Sequence, residues 1–233
     1  MKLTKIFTCI FFSLIIISCN KKETSENETS NKYEFKDYIT NVSSGIISKN
    51  DDVRLVLVNP VKEWTNNLEL EDSYFSISPK VKGKWVALNN RTISFKPENG
   101  FKENTEYVFN VSLDKFQKTT DDLANFSFKI KTIKQDFIVT TNTIQSYSRD
   151  WQYLVGNIKT SDILNLKDAK KIISASQNNK SLNIKFDAVN NESNFFTFTI
   201  DSIKRNEENS EIQISYDGTQ IDVDQKNSFP FTI

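Results

Sequence analysis

The sequence has 233 residues, of which 30 are basic, 30 are acidic and none is histidine. Without histidine, Ser-His-Asp or Cys-His catalysis and histidine-ligated zinc are excluded. The balanced charge gives no electrostatic basis for binding nucleic acid or an anionic membrane face. We therefore predict a protein that is not an enzyme and has no cofactor, bound metal or catalytic residue.

Residues 1–18 have the pattern of a secretory signal. Lys2 and Lys5 precede an apolar run from Ile6 to Ile17, which is shorter than the about 20 residues that span a bilayer. The segment Ile16-Ile17-Ser18-Cys19 resembles the lipobox of bacterial lipoproteins. This resemblance implies cleavage before Cys19, diacylation of its thiol and acylation of the new N-terminus, including palmitate; two or more such chains give a stable anchor. The alternative is a cleaved signal with an incidental cysteine.

The two cysteines are both accounted for by this segment. Cys9 lies in the part that is removed, and Cys19 carries the lipid, so the mature chain has no thiol for a disulfide, a metal or a nucleophile. Loss of Lys2 and Lys5 leaves 28 basic against 30 acidic residues, a net charge of −2. Stability must then come from packing alone.

A polar segment follows the predicted lipid site. Asn20 to Lys32 contains no apolar residue and so cannot bury enough surface to become ordered, which predicts a disordered tether over residues 19–32. Its reach as a flexible coil is roughly 20 Å. Asn20 at the second mature position, by resemblance to proteobacterial sorting, favours the outer membrane. The Lys-Lys-Glu part of the tether leaves open export to the cell surface, instead of the periplasmic face.

From Tyr33 onward the chain alternates apolar and polar residues. Phe126, Phe128 and Ile130, for example, alternate with polar residues, which places one face in a core and the other in water. Turn signals at Asn89-Asn90 and Pro97–Gly100 separate the runs. The runs of the first half are Val53–Val58, Thr92–Pro97, Glu106–Leu113 and Asn125–Thr132. They predict an antiparallel, immunoglobulin-like β sandwich over residues 33–133.

A second β sandwich is predicted over residues 134–233. Its strand candidates are Gln135–Ile144, Trp151–Ile158, Ser181–Val189, Asn194–Ile203 and Ser210–Val223, the last folding into a hairpin at Asp217-Gly218. The apolar spacing of Ile163, Leu166, Ala169 and Ile173 predicts one short helix, with Ser161 or Asp162 as its N-cap. The fold class is thus all-β, with two consecutive sandwiches of about 100 residues, a common domain size.

The order of several short motifs resembles a known family. The stretch Ser76–Trp85 predicts a strand up to Pro79, a turn through Gly83 and a return through Trp85, and a Phe-x-Pro strand end and a Thr-x-Tyr strand start follow it. This order resembles the N-terminal immunoglobulin-like module of bacterial α2-macroglobulin lipoproteins, especially those of Bacteroidetes. The second half, with Leu154–Ile163, a helix and Ile203–Arg205, resembles the next macroglobulin-type domain. The resemblance covers nearly all of the mature chain, but the thioester Cys and Gln pair and a bait region are absent.

The residues offer candidates for two further kinds of site. Asp51-Asp52, Asp121-Asp122 and Asp222 with Asp224 are candidate calcium ligands, but none of these places offers the 6–8 oxygens that calcium takes, so solvated turns are favoured. Trp64, Trp85 and Trp151 are candidates for stacking on sugars; a place in the core or at a domain junction is favoured for them.

Two functions from different classes remain open. The first is a lipoprotein that forms the N-terminal scaffold of an α2-macroglobulin-like protease-inhibitor system and is not inhibitory alone. The second is a stand-alone surface module that binds a glycan or a protein, as an adhesin does. The expected partners are the membrane, through Cys19, and macroglobulin-type domains or other envelope proteins. The alternation of Phe229, Phe231 and Ile233 predicts a final strand that continues or pairs in a longer parent.

Overall fold

The fold is all-β, as predicted, with two halves that each contain two β sheets. The structure, a computed structural model, describes residues 29–187, 190–205 and 211–233. The predicted signal, the lipobox with Cys19 and the tether up to residue 28 therefore lie outside the described residues. We refer to residues 29–133 as the first domain and to residues 134–233 as the second domain.

The first domain is a sandwich of two sheets. Its strands are β1 Ile39–Val42, β2 Gly45–Ile47, β3 Val53–Leu57, β4 Leu68–Glu69, β5 Phe75–Ser78, β6 Gly83–Ala87, β7 Thr92–Pro97, β8 Glu106–Ser112 and β9 Asn125–Thr132. One sheet has the order β1-β3-β7-β6-β4 and the other β2-β9-β8-β5. All strand pairs in these sheets are antiparallel except β2 with β9, which is parallel.

The predicted alternation along the strands is confirmed. Phe126, Phe128 and Ile130 of β9 are buried, while the residues between them face outward. Tyr107, Phe109 and the other inward residues of β8 lie on the neighbouring strand of the same sheet and belong to the same core as the buried residues of β9. Three short 3-10 turns, at Asp72–Tyr74, Leu113–Lys115 and Asp121–Leu123, complete the domain.

The stretch Ser76–Trp85 does not form the turn and return that the sequence predicts. Its first part is β5, which pairs with β8, and its last part is β6, which pairs with β7 in the other sheet. The chain therefore crosses the sandwich here. Gly83 is required at this crossing, because a Cβ atom on it would lie 2.4 Å from the carbonyl oxygen of Lys96 and 2.5 Å from the ring of Phe95.

The second domain also contains two sheets, and one helix is present in its described residues. Its elements are β10 Phe137–Thr141, β11 Gln145–Ser146, β12 Trp151–Asn165, α1 Leu166–Ile172, β13 Ile173–Gln177, β14 Lys180–Ser181, β15 Asn183–Phe186, β16 Glu192–Lys204, β17 Glu211–Asp217 and β18 Lys226–Thr232. One sheet has the order β10-β12-β16-β15, with β11 also on β12, and the other has the order β14-β13-β17-β18.

The predicted helix exists, but its predicted start is wrong. Strand β12 continues through Ser161 and Asp162 to Asn165: β10 pairs with it up to Thr160, and β16 pairs with it again at Leu164 and Asn165. The N-cap is Asn165, whose side-chain oxygen accepts a hydrogen bond from the backbone N–H of Lys167 at 2.8 Å.

The predicted hairpin at Asp217-Gly218 is also different in the structure. Strand β17 ends at Asp217, but a 3-10 turn at Thr219–Ile221 follows, and the partner strand β18 begins only at Lys226. The side chain of Asp217 accepts hydrogen bonds from the backbone N–H of Thr219 at 3.0 Å and from its hydroxyl at 2.7 Å. These bonds favour the wider turn over a two-residue loop.

Each domain has its own hydrophobic core. The first cluster of buried residues extends from Phe35 to Ile130, and the second extends from Phe137 to Val223. Phe229, Phe231 and Ile233 pack against the second cluster from β18 and the residue after it, so the predicted final strand is present.

The last part of the predicted tether contacts the first domain. The backbone N–H of Ser30 donates to the carbonyl oxygen of Ser127 at 2.9 Å, and the hydroxyl of Ser30 accepts from the N–H of Ser127 at 2.9 Å. Ser30 therefore pairs with the beginning of β9, where an open backbone edge is available, instead of belonging to a disordered segment.

Candidate functional site: the junction of the two domains

Four residues, 133–136, connect the last strand of the first domain to the first strand of the second. The N–H of Ile133 donates to the carbonyl oxygen of Ile47 at 3.0 Å, in the first domain. The carbonyl oxygen of Asp136 accepts from the N–H of Ser161 at 2.9 Å, in the second domain. The connection is therefore bound to a strand or loop on each side, unlike a free linker.

Two buried polar side chains occupy the centre of this junction. Gln135 and Asp162 are each 3% exposed. The side-chain N–H of Gln135 donates to the carbonyl oxygen of Asp162 at 3.3 Å, and its side-chain oxygen accepts from the N–H of Asp162 at 3.0 Å. The hydroxyl of Thr160 donates to the same carbonyl oxygen at 2.7 Å. The amide of Gln135 thus closes a ring of two hydrogen bonds with the backbone of β12.

The carboxylate of Asp162 links the two domains directly. Its Oδ2 atom accepts a hydrogen bond from the backbone N–H of Lys49, a first-domain residue, at 2.9 Å. Its Oδ1 atom accepts from the N–H of Ile163 at 2.8 Å. Hydrogen bonds to a charged acceptor are stronger than neutral ones. We call Lys49, Gln135, Thr160 and Asp162 the junction network.

The loop that presents Lys49 is itself fixed in the first domain. The carbonyl oxygen of Lys49 accepts from the N–H of Phe101 at 2.8 Å, and its ammonium group pairs with the carboxylate of Glu103. Gly100 has a φ of +74°, and a Cβ atom on it would approach the carbonyl oxygen of Lys49 to 3.1 Å. A glycine is therefore needed for this close approach of two backbone segments.

An open groove of about 580 Å³ lies at the junction. Its walls include Lys49, Glu103 and Lys134 from the first domain and the connection, and Asp222 from the second. Asp222 has a φ of 55° in the turn between β17 and β18. The groove carries charges of both signs, and its lining residues supply hydrogen-bonding and ion-pairing groups.

The strand directions place Ser30 and Ile233 away from the junction. In the first domain, Thr132 lies at the junction end of β9, and Ser30 pairs with Ser127 towards the other end. In the second domain, β18 runs from Lys226, beside the turn that contains Asp222, to Thr232, which pairs with Glu211 at the far end of β17. The chain thus enters at one end of the two-domain unit, passes the junction, and reaches Ile233 at the other.

The three tryptophans differ in their positions. Trp85 is in the first core, where its ring stacks on Phe75 at 4.0 Å, as favoured from the sequence. Trp64 is partly buried and packs on Phe116 at 5.3 Å. Trp151 is 41% exposed, so the favoured core or junction position is wrong for this residue.

The acidic pairs are dispersed over the surface. Asp51 accepts from the N–H of Ser48 at 2.9 Å, Asp121 and Asp122 begin a 3-10 turn, and Asp222 lies at the groove. Within residues 29–187, 190–205 and 211–233, no group of three or more Cys, Asp or Glu residues is placed to hold a metal ion. Among those same residues, no helix is long and apolar enough to cross a membrane.

Sequence reasoning missed Gln135 and the role of Asp162. A signal was present: counting inward positions of β12 from Gln152 in steps of two places Thr160 and Asp162 on the buried face. A carboxylate at a buried strand position requires hydrogen-bond partners, which indicates a contact with another part of the chain.

Comparisons with known proteins give no family for this chain. No protein-family model matches it, and no curated protein matches it. Similar solved structures include L,D-transpeptidase 3 from Mycobacterium tuberculosis, with 12% identity, a TM-score of 0.30 and coverage of 52% of this chain and 46% of that chain. Bovine butyrophilin has 6% identity and a TM-score of 0.29, with 83% of this chain and 95% of that chain covered. The titin tandem immunoglobulin domains A164-A165 have 9% identity and a TM-score of 0.25, with the same coverage. This chain therefore spans less than half the length of the transpeptidase, and likeness at this level carries no argument about activity.

Proposed function

We propose that this protein is a lipid-anchored protein of the bacterial cell envelope whose two domains form the N-terminal scaffold of an α2-macroglobulin-like protease-inhibitor system. A scaffold has to hold a defined distance and direction between the membrane and the domains that act. The junction network is the observation that carries this proposal, because it fixes one sandwich against the other. The chain alone is not inhibitory, since the sequence offers no bait segment and no thioester pair.

The energetics of the junction support this role. Opening it would exchange the hydrogen bond between the N–H of Lys49 and the carboxylate of Asp162 for hydrogen bonds to water. A hydrogen bond to a charged group contributes about 1.5–3 kcal/mol net. The bidentate contact of Gln135 with the backbone of β12 adds two further bonds. A connection of four residues with these contacts transmits orientation, which a flexible linker of the same length does not.

The predicted anchor lies at a suitable place for a spacer. Ser30 is held at the end of the first domain opposite the junction. Cys19 is eleven residues earlier in the sequence. A lipid on Cys19 therefore puts the first domain next to the outer membrane and the second domain away from it. We place the protein on the periplasmic face or the cell surface of that membrane.

Replacement of the lipidated residue tests the anchor. We expect Cys19→Ser to release the protein from the membrane fraction and to abolish palmitate labelling, because the thioether cannot form. Cells that produce the unchanged chain are the control. Retention of Cys19→Ser in the membrane fraction would contradict lipid anchoring at this site.

A crosslinking experiment tests the scaffold. Among the described strands, β18 pairs only with β17 and so forms an edge of its sheet, and an edge is a place where a further domain can pack. A photoreactive residue in place of the exposed Thr232 should crosslink to a macroglobulin-type protein in the native envelope, as identified by mass spectrometry. The same residue in place of the exposed Lys96 in β7 should not. Absence of any macroglobulin-type product at Thr232 would overturn the proposed partner.

A further inference from the structure

A group of exposed aromatic side chains lies at the far end of the second domain. Tyr147, in the turn between β11 and β12, is 54% exposed, and Trp151, at the start of β12, is 41% exposed. Tyr153 is two residues further along β12 and half-buried, so it shares a face of the strand with Trp151 at a spacing of roughly 7 Å. These three residues lie outside both hydrophobic core clusters of the described chain.

The rings of Tyr147 and Tyr153 are held in place by hydrogen bonds within the site. Tyr147 and Tyr153 have ring centroids 5.9 Å apart. The hydroxyl of Tyr147 donates to Asp201 at 3.3 Å, and the hydroxyl of Tyr153 donates to Gln145. The hydrogen bond of each hydroxyl fixes its ring before a ligand binds, which lowers the entropic cost of binding. Tyr147 and Tyr153 therefore form an ordered pair of rings, and Trp151 is held beside Tyr147 through its carbonyl oxygen, which accepts from the N–H of Tyr147 at 3.2 Å. We call these three residues the aromatic platform.

A distortion of β16 supplies the polar part of the site. The register of β16 against β12 shifts between Gln152 and Leu154, and Ser202 has a φ of 61°. Such bulges turn a side chain to a new direction and are common next to binding sites. Here Asp201 receives the hydroxyl of Tyr147, the N–H of Ser202 at 2.7 Å and an ion pair from Lys185. The bond from Lys185 is the main reason that the pKa of Asp201 is lowered and it also raises the pKa of Lys185.

The carboxylate of this site is paired within the protein. Asp201 is paired with Lys185, whereas the guanidinium of Arg205 donates to the uncharged hydroxyl of Ser146 at 2.6 Å. The site therefore offers hydrogen-bonding groups beside exposed aromatic rings. A matching ligand would carry many hydroxyl groups together with an apolar face that packs on the rings.

We infer that Tyr147, Trp151, Tyr153 and Asp201 form a binding subsite for a polysaccharide, which packs the C–H face of its sugar rings on the aromatic platform. Sugar C–H groups carry partial positive charge and meet the electron-rich ring faces, and the hydroxyls of the sugar bind Asp201 and its neighbours. This inference is independent of the scaffold proposal, because it concerns only the end of the second domain opposite the junction.

Retention on polysaccharides tests the subsite. The full chain, extracted in detergent, is applied to cellulose, chitin, starch, xylan, laminarin and isolated peptidoglycan. We expect retention on at least one of them, a loss of affinity of tenfold or more in Trp151→Ala, and recovery of most of the affinity in Trp151→Tyr, which restores a ring. The matched control is Phe195→Ala, since Phe195 is 52% exposed on the neighbouring strand β16 and lies outside the platform.

Each possible outcome of this experiment either supports or overturns the inference. Retention that falls in Trp151→Ala and stays within twofold in Phe195→Ala supports the inference, provided that both variants keep the thermal midpoint of the unchanged chain. Retention on none of the six materials overturns it. Equal loss in Phe195→Ala also overturns it, because general hydrophobic adhesion would then explain the binding. Capture of an envelope protein that depends on Trp151, with no polysaccharide retained, would assign the platform to a protein partner instead and overturn the inference.

Discussion

The two domains share a sandwich architecture but differ in what they bury. The first core is rich in aromatic rings; Phe109 alone has four ring neighbours, Trp85, Phe95, Phe101 and Phe128, at centroid distances from 5.1 to 6.2 Å. Half of the buried residues in the second core are isoleucine, and Phe198 has one ring neighbour, Phe186, at 6.0 Å. The polar residues buried in the second domain include Gln152, Thr160, Asp162 and Gln177.

This difference indicates that the two domains have different roles. The first domain, next to the predicted anchor, is stabilised by aromatic packing. The buried polar groups of the second domain lie at its two ends: Thr160 and Asp162 at the junction, and Gln152 and Gln177 near the aromatic platform. The side-chain amide of Gln177 donates to the carbonyl oxygen of Lys204 at 2.8 Å and accepts from the N–H of Lys204 at 2.9 Å. The contacts that give the protein its function are therefore expected mainly in the second domain.

The largest expected effect is loss of an aromatic side chain from the first core. Phe109→Ala should lower the free energy of unfolding of the first domain by about 3–5 kcal/mol. Phe198→Ala in the second domain removes the same side chain with fewer ring partners, and each aromatic pair adds about 0.5–1.5 kcal/mol. Urea denaturation followed by tryptophan fluorescence, from Trp64 and Trp85 in the first domain and Trp151 in the second, compares the two. An equal or larger loss in Phe198→Ala would contradict the proposed contrast between the cores.

A smaller effect is expected at the junction. Asp162→Asn keeps the shape of the side chain but replaces one accepting oxygen with an NH₂ group, which cannot accept a hydrogen bond. The backbone N–H of either Lys49 or Ile163 then loses its acceptor. One orphaned buried donor costs about 1–3 kcal/mol. We expect unfolding to separate into two transitions, one for each domain. Asp224→Asn, at an exposed position, is the control and should leave unfolding unchanged; the same result for Asp162→Asn would show that the network does not couple the domains.

Acid should weaken the turn between β17 and β18. Hydrogen bonds from the Thr219 side chain, then from Lys226, lower the pKa of Asp217 from 3.8 to about 2. A lowered pKa stabilises the fold fully above the unfolded value, and this contribution is lost as the pH falls from about 4 through about 2. The difference in thermal midpoint between the unchanged chain and Asp217→Asn should therefore shrink over that range. A difference that is constant from pH 5 to pH 2 would be inconsistent with this pKa.

The smallest expected effect is that of chelator or reductant. The predicted mature chain has no free thiol and no histidine, so neither EDTA nor dithiothreitol should move the thermal midpoint of either domain. A shift of several degrees with EDTA, reversed by calcium, would instead assign a cation to one of the aspartate pairs.

The sequence predicted local patterns well and long-range partners poorly. The bounds of β7 and β9 match Thr92–Pro97 and Asn125–Thr132, because a strand with one buried face leaves a period of two in its own residues. The residues of a strand carry no comparable signal for which other strand it pairs with. The crossing at Gly83 and the parallel pairing of β2 with β9 depend on residues far away in the sequence, so local alternation could not distinguish them from a hairpin.

The helix start and the junction were mispredicted for one shared reason. Asp162 is a good N-cap residue by type, and an apolar spacing of three to four follows it. In the structure β16 pairs with Leu164 and Asn165 and so extends the strand past this point, and the carboxylate of Asp162 caps the N–H of Lys49 instead of a helix. Tertiary pairing thus outweighed the local signal. The lipid site at Cys19 stays a prediction, since it lies outside the described residues.

The central claim is that the junction network fixes the orientation of the two domains. Residues 20–233 contain no cysteine, so spin labels can be attached to Lys96→Cys in β7 and Lys159→Cys in β12, both exposed. The distance distribution between them is then measured by double electron–electron resonance. We predict a single narrow distribution in this chain and a clearly broader one when Asp162→Ala is added. A broad distribution already present with Asp162 intact would contradict the rigid scaffold.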